Sequence, residues 1–213
     1  MDKTFSILTL GCKVNQYESE AMSELFEKEG YTQVENEDYS DVYIVNTCTV
    51  TNLSDRKSRQ FIRRAKRQNP NSIVAVVGCY SQVSPDEVKN IEGVDVVIGT
   101  TDRNRIVNLV EEAKSGTKIN IVRDLKNVRE FANTTNFDSN NRTRAYMKVQ
   151  DGCNRFCTYC IIPYARGPIR SRDIEDAVDE AEVLADSGFK EIILTGIHIG
   201  SFGKDKGDKR LID

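Results

Sequence analysis

Cys153, Cys157 and Cys160 stand in the spacing C-x3-C-x2-C, within the stretch DGCNRFCTYCIIPYARGPIR. Three thiolates on one short loop make a soft ligand set with an odd count. A closed structural zinc site wants four ligands, whereas zinc sites with three protein ligands keep the fourth position for water or substrate. A [4Fe–4S] cluster usually takes four cysteines, so three leave one iron open to another ligand. His198, the single histidine, lies far downstream and reads as a packed, hydrogen-bonded residue rather than a ligand. The other three cysteines, Cys12, Cys48 and Cys79, lie 36 and 31 residues apart, so only a fold can gather them.

The elements that would do so can be read along the chain. A β-rich run at 4–10 leads into Gly11-Cys12, and Met22, Leu25 and Phe26 recur at helical spacing over 15–29 before Gly30. Strand 42–46 stops two residues short of Cys48, and Ser54 can cap a helix that runs to about Gln68 before Asn69-Pro70. Strand 73–77, a continuous apolar run, meets Gly78-Cys79 directly. Pro85 opens a short helix; strand 94–98, helix 102–114 and strand 119–122 complete the series. Alternating strands and helices predict a doubly wound parallel sheet, whose ligands bind outside the carboxyl ends of the strands. A lone cysteine is usually a small buried hydrophobe. Cys12, Cys48 and Cys79 each follow a strand in the same way, so the reading is one shared edge site.

Between 124 and 143 the pattern dissolves into polar residues, NTTNFDSNNRT among them, which marks a linker. A new strand at 145–149 feeds the Cys153 loop. Asp173 is the candidate cap of a helix with Ile174, Ala177, Val178, Ala181, Leu184 and Ala185 on one face, Gly188 stops it, and strand 191–194 follows. The expected division is an α/β domain at 1–123, a linker at 124–143, and at 144–213 the first strand–helix–strand of an incomplete β/α barrel. A parallel barrel commonly takes about 250 residues, and the 70 after Thr143 begin one. The sequence therefore reads as part of a longer protein, with strand edge and apolar helix face exposed at its end.

Composition narrows the function classes. The apolar run at 5–10 is too short for a signal segment, and nothing approaches a membrane span. The expected setting is the cytoplasm, where six cysteines suggest metal or catalysis more than disulfides. A net charge of −3 excludes a nucleic-acid binder held by bulk charge, so any such contact must be local. One local patch exists on the helix after Cys48: Arg56, Lys57, Arg59, Arg63, Arg64, Lys66 and Arg67 against Asp55. It reads either as a solvated face or as an RNA contact. Arg166, Arg170 and Arg172 read either as RNA contacts or as partners of acids such as Asp173.

The Cys153 loop, with Tyr159 before its third cysteine, resembles the cluster loop of radical S-adenosylmethionine enzymes. That resemblance implies a [4Fe–4S] cluster on Cys153, Cys157 and Cys160, whose open iron chelates S-adenosylmethionine and yields a 5′-deoxyadenosyl radical on electron transfer. It also implies Tyr159 near the adenine, and Thr195-Gly196 against the methionine part, where glycine admits close approach. An ordinary strand-end turn is the alternative for Thr195-Gly196. Radical chemistry on an unactivated C–H bond requires a cofactor, and no side-chain acid or base is expected. A three-cysteine zinc site leaves Tyr159 and the strand–loop–helix setting without a role.

LTLGCKVNQYESE, VNTCTV and VVGCYSQ, together with YMKVQDGCNRFCTYCIIPYARGPIRSR and LTGIHIGSFG, are similar to the methylthiotransferases, a radical S-adenosylmethionine subgroup. The similarity implies a second [4Fe–4S] cluster on Cys12, Cys48 and Cys79, with tRNA and an electron-donor protein as partners. LGCKVNQ looks most like the branch acting on threonylcarbamoyladenosine at tRNA position 37. The competing expectations are methylthiolation of a ribosomal protein side chain and a non-catalytic metal-binding fragment.

Overall fold

A computed structural model describes residues 3–49, 52–132, 143–207 and 210–212. The chain divides into two compact units, Met1–Arg123 and Asp124–Asp213.

The first unit is a doubly wound α/β sheet. In chain order it runs β1 (Lys3–Thr9), α1 (Lys13–Lys28), β2 (Tyr31–Gln33), β3 (Val42–Thr47), α2 (Asn52–Gln68), β4 (Ile73–Gly78), α3 (Cys79–Val83), α4 (Pro85–Lys89), β5 (Val96–Ile98), a 3-10 turn (Arg103–Arg105), α5 (Ile106–Ala113) and β6 (Ile119–Ile121). The six strands lie in the order β2-β1-β3-β4-β5-β6, and every pairing is parallel. The strands at its centre explain why so little polar residue interrupts them: β3 and β4 are buried along their whole length, as strands covered on both faces must be. One face packs Phe5, Ile44, Ala75 and Ile98 with Met22 and Phe26 of α1 and Ile106 of α5. The other packs Tyr43, Val45, Val74 and Val76 with Phe61, Ile62 and Ala65 of α2.

Sequence periodicity placed the main strands within two residues. It did not foresee β2, a three-residue edge strand with Thr32 and Gln33 exposed, or α3, which begins at Cys79 itself. Helix α2 starts at Asn52, so Ser54 stands inside its first turn rather than at its cap. The expected helix over 102–114 is split, because Asp102 adopts a left-handed φ of 58° that starts a 3-10 turn instead.

An aromatic cluster closes the sheet end away from the cysteines. Phe5 stacks on Phe26 at 5.0 Å, and Tyr31 meets Phe26 edge-on at 5.1 Å. The Tyr31 hydroxyl donates to Glu111 Oε1 at 2.5 Å, and Lys3 and Lys114 each donate to Glu111 at 3.0 Å. The phenol and the two ammonium groups hold the Glu111 carboxyl down to about 2, while burial and that carboxylate push the Tyr31 phenol up. A depressed carboxyl stabilises the fold above its unfolded pKa of about 4.3 and loses that contribution as pH falls through its folded value. The Glu111→Gln variant should therefore show a flatter loss of melting temperature between about pH 4.5 and 2. With 39% side-chain exposure the difference is expected at about 1 kcal/mol or less, since solvent screens the pair.

The second unit comprises a 3-10 turn (Leu125–Asn127), β7 (Arg144–Asp151), α6 (Ile162–Arg166), β8 (Arg170–Ser171), α7 (Ile174–Asp186), β9 (Glu191–Gly196) and a final 3-10 turn (Ile199–Ser201). Strand order is β8-β7-β9; β7 and β9 run parallel, and β8 joins β7 antiparallel. Ala145, Met147 and Val149 of β7 pack with Leu184 of α7, Phe189 and Phe202. Leu125, inside the expected linker, is buried, and its Cβ lies 2.8 Å from where a Cβ on Gly167 would stand. The polar stretch 133–142 lies outside the described residues. Asp173 precedes α7 but makes no capping bond; its carboxylate pairs with Lys206. Of the apolar face expected on α7, Leu184 is buried and Ala177 and Ala181 pack against the β7 cluster, whereas Ile174 and Val178 are exposed, as are Val183 and, on the edge strand β9, Leu194.

Candidate metal and cofactor sites

Strand register brings the first three cysteines to one edge. Thr9 of β1 lies opposite Asn46 of β3, and Thr47 opposite Gly78 of β4, so all three strands end at the same level. Cys12 follows as the residue before α1, Cys48 comes directly after Thr47, and Cys79 opens α3. Gly11 presses against the second of these. A Cβ there would stand 2.9 Å from Cys48 Cβ and 3.2 Å from Cys48 Sγ, so glycine is what lets the backbone just before Cys12 pass this close to Cys48. Cys12 is exposed, whereas Cys48 and Cys79 are 7% and 3% exposed.

A buried polar network supports this edge. Asn15 Nδ2 donates to Asn46 Oδ1 at 3.3 Å and to the Thr47 carbonyl at 2.9 Å. Asn46 Nδ2 donates to the Asn15 carbonyl and to Ser19 Oγ, both at 2.9 Å. Asn15 Oδ1 accepts from Cys12 Sγ at 3.4 Å, so the network reaches the first thiol directly. Both asparagines are fully buried, and neither was singled out from sequence. The signal available was their position, three residues after one cysteine and two before the next.

Gly78 joins the strand to Cys79 with φ 99° and ψ −154°, a region that is essentially glycine-only. A Cβ there would meet Asn46 Oδ1 and the Thr47 carbonyl at 2.7 Å. The Gly78→Ala variant should lose about 3 kcal/mol in urea denaturation. Gly116, φ 88° with nothing within 4 Å of its Cβ position, is the control, and its alanine variant should lose only about 1 kcal/mol.

In the second unit the loop from Gly152 to Ile161 carries Cys153, Cys157 and Cys160, half-buried, exposed and half-buried. It is pinned at its root. The Cys153 N–H donates to the Gly167 carbonyl at 3.0 Å, and Gly152 approaches so near that a Cβ would stand 1.9 Å from the Pro168 carbonyl oxygen. Beneath it Asp151, 3% exposed, accepts from its neighbour Gly152 N–H at 2.8 Å and faces Arg170 at 3.4 Å, Lys148 at 3.5 Å and Arg166 at 3.7 Å. Arg172 is buried against Glu180. These three arginines are 0–3% exposed, so they are structural cations rather than RNA contacts, and Asp173 pairs with none of them. Sequence reasoning missed the Asp151 cluster because its members are spread over β7, α6 and β8.

Around the loop mouth Phe156, Tyr159 and Tyr164 are 58%, 91% and 64% exposed, and Phe156 and Tyr164 meet edge-on at 5.7 Å. Gly196, at the end of β9, packs on Gln150, whose Cβ lies 2.9 Å from where a glycine Cβ would stand. Gln150 in turn donates to the Asp151 and Gly152 carbonyls at 2.7 Å and accepts from His198 N–H at 2.7 Å. The close approach that glycine permits here is to Gln150. His198 Nδ1 bonds Ser201 Oγ at 2.7 Å, in keeping with a packed histidine.

None of the six cysteines is in a disulfide. Among the described residues no three Cys, His, Asp or Glu side chains are already drawn together at metal-binding distance. The donor chemistry nevertheless fits iron–sulfur ligation: each unit presents three thiols beyond the carboxyl end of a parallel strand, and soft thiolates select iron–sulfur clusters or zinc. Among the described residues no helix is long and apolar enough to cross a membrane.

Residues 147–202 match the radical SAM superfamily, the class that the strand–cysteine-loop–helix–strand unit had suggested. Residues 4–99 match the uncharacterized protein family UPF0004. The chain is 49% identical over 206 residues to the threonylcarbamoyladenosine tRNA methylthiotransferase MtaB of Bacillus subtilis, covering 96% of this chain and 46% of that protein. The protein of the same name from Aquifex aeolicus is 44% identical over 93% of this chain and 49% of its own length. The tRNA-2-methylthio-N(6)-dimethylallyladenosine synthase of a Sulfurihydrogenibium species is 38% identical over 96% and 48%. The chain belongs to the radical S-adenosylmethionine methylthiotransferase family, and it spans about half the length of the curated relatives it matches.

Proposed function

We propose that the protein to which these residues belong methylthiolates C2 of N6-threonylcarbamoyladenosine at position 37 of tRNA, in the cytoplasm, with two [4Fe–4S] clusters and S-adenosylmethionine. The observation that carries this reading is the unbroken similarity to the MtaB proteins, which runs through both three-cysteine sets. In this reading Cys12, Cys48 and Cys79 hold the auxiliary cluster and Cys153, Cys157 and Cys160 the radical-generating one. When bound, the clusters and S-adenosylmethionine supply the electron route, the radical and the methyl group. The chain's own residues do the positioning. Asn15 and Asn46 fix the backbone from which Cys12 and Cys48 project, and Asp151 with its cations sets the root of the second loop. Tyr159, exposed at the loop mouth, lines the adenine side, and Thr195-Gly196 at the end of β9 lies toward the methionine part. The domain scheme proposed with it is 1–123, a linker at 124–143 and the barrel start from 144. An electron-donor protein completes the system.

The test is mass spectrometry of tRNA nucleosides and ribosomal proteins from a deletion strain. Loss of 2-methylthio-N6-threonylcarbamoyladenosine, restored by the complete gene, supports the proposal. Loss of a methylthio group from the dimethylallyl nucleoside or from a ribosomal protein instead would refute the substrate.

A further inference from the structure

Helix α2 separates its cations into two kinds. Arg59 bonds Glu87 and the Tyr80 hydroxyl, Lys66 bonds Asp95 at 2.7 Å, and Arg64 bonds Glu37 at 3.3 Å and the Asn36 carbonyl at 3.1 Å. These three tie the helix to its own unit. Arg56, Lys57, Arg63 and Arg67 are exposed, and none of them has an acidic partner among the described residues. Arg63 and Arg67 stand four residues apart, a separation at which like charges on a helix repel. A helix face that keeps such repulsion without internal compensation, in a chain of net charge −3, is suited to an external anion.

The packing gives that face a groove. Helix α2 packs mainly on β3 and β4, and Leu8 of β1 is only partly buried against the same apolar cluster. Half-buried Leu8 and Leu10 form an apolar floor, and Lys57, Arg63, Arg64 and Arg67 form a basic wall, around a cavity of about 600 Å³. From Lys57 to Arg67 the wall runs about 15 Å along the helix, a row suited to successive charges rather than to one. The floor ends at Leu10, two residues before Cys12.

We infer that the groove between β1 and α2 is a track for the phosphodiester backbone of RNA, in which Lys57, Arg63 and Arg67 of the wall, with the exposed Arg56 beside Lys57 in the helix, neutralise successive phosphates and Leu8 and Leu10 receive ribose or base edges. The choice of RNA over other polyanions rests on the tRNA reading above. The placement of the track rests on the unpaired cations and the apolar floor. Its position delivers a bound strand to the edge that carries Cys12.

The test is fluorescence anisotropy of a labelled anticodon stem-loop titrated with this chain between about 25 and 300 mM KCl. Neutralising four phosphate contacts contributes a slope in log K against log salt of about −0.7 to −0.9 per contact. The quadruple variant R56Q/K57Q/R63Q/R67Q should therefore flatten the slope by about 3 and weaken binding at least tenfold at about 50 mM. A control, K28Q/K89Q/K118Q, removes exposed cations elsewhere on the same unit and should change the slope little. Leu10→Gln should weaken binding at high salt with the slope kept. Matching circular dichroism establishes that the exposed substitutions leave the fold intact. Equal slopes for the quadruple variant and the unaltered chain, or equal flattening by the control, would overturn the track. Nucleoside analysis is a separate reading: RNA bound through the groove with no methylthiolated product would remove the catalytic proposal and leave the track standing.

Discussion

The Asp151→Ala variant should destabilise the second unit by about 3–5 kcal/mol, a large share of the roughly 5–15 kcal/mol that holds a domain folded. The carboxylate is shared by Lys148, Arg166 and Arg170, whose side chains are 1%, 0% and 3% exposed. A buried ion pair contributes little compared with a well-packed apolar substitute, but removing one partner leaves the others buried beside one another, and that is where the cost arises. The position also carries the loop. The Asp151 carboxylate accepts from the Gly152 N–H at 2.8 Å, and Gly152 is the residue wedged against Pro168 just before Cys153. Asp151→Asn separates the two roles. It keeps an acceptor for Gly152 and loses the charge, so it should remain close to alanine in urea denaturation if the cations dominate. Hydrogen exchange resolved by segment is the measurement of choice. Protection should fall across β7, α6 and α7, with β3 and β4 unchanged. Retention of wild-type protection by both variants would show that the cluster is not what holds the loop.

The fold of the first unit was legible because its strands are buried on both faces. The runs at 42–45 and 73–78 carry almost no polar residue; the first strand is followed by a 17-residue helix long enough to cross back and the second by two five-residue helices. Elements that escaped are those too short to show a period. Strand β2 has three residues and β8 two, and both exist because a neighbouring strand offers an open edge. The placement of Cys12, Cys48 and Cys79 after strands was readable for the same reason as the strands themselves. The groups that support those cysteines were not. Asn15 and Asn46 look in sequence like helix-surface and strand-end polar residues, and only the parallel register of β1 and β3 makes them one buried network. Arg166, Arg170 and Arg172 look like a basic surface, since a sequence shows charge but not the buried acid that meets it. Asp151 and Glu180 supply those acids from β7 and α7, up to 19 residues away.

Iron content should divide between the two cysteine sets. After anaerobic reconstitution the chain is expected to bind about eight irons, and the triple variant C12S/C48S/C79S or C153S/C157S/C160S about four each. Independence is expected because each set sits in its own compact unit. A zinc reading predicts about one metal per set, tetrahedral and without the broad visible absorption of an iron–sulfur centre. Alkylation gives a second readout that needs no enzymatic activity. In the metal-free chain Cys12 and Cys157, both exposed, should react with iodoacetamide first, and Cys48 and Cys79 at 7% and 3% exposure should react slowest. Ligation converts the accessible thiols into metal-bound thiolates, so reconstitution should protect Cys12 and Cys157 far more than it changes Cys48. In the Asn15→Ala variant the Cys12 thiol loses its acceptor and the backbone just before Cys48 loses the donor that reaches the Thr47 carbonyl. That variant should release iron from the first set faster during chelator challenge while the second set keeps its own rate. Equal release from both sets would mean that the asparagine network stabilises the fold generally and does not act on the cysteine edge.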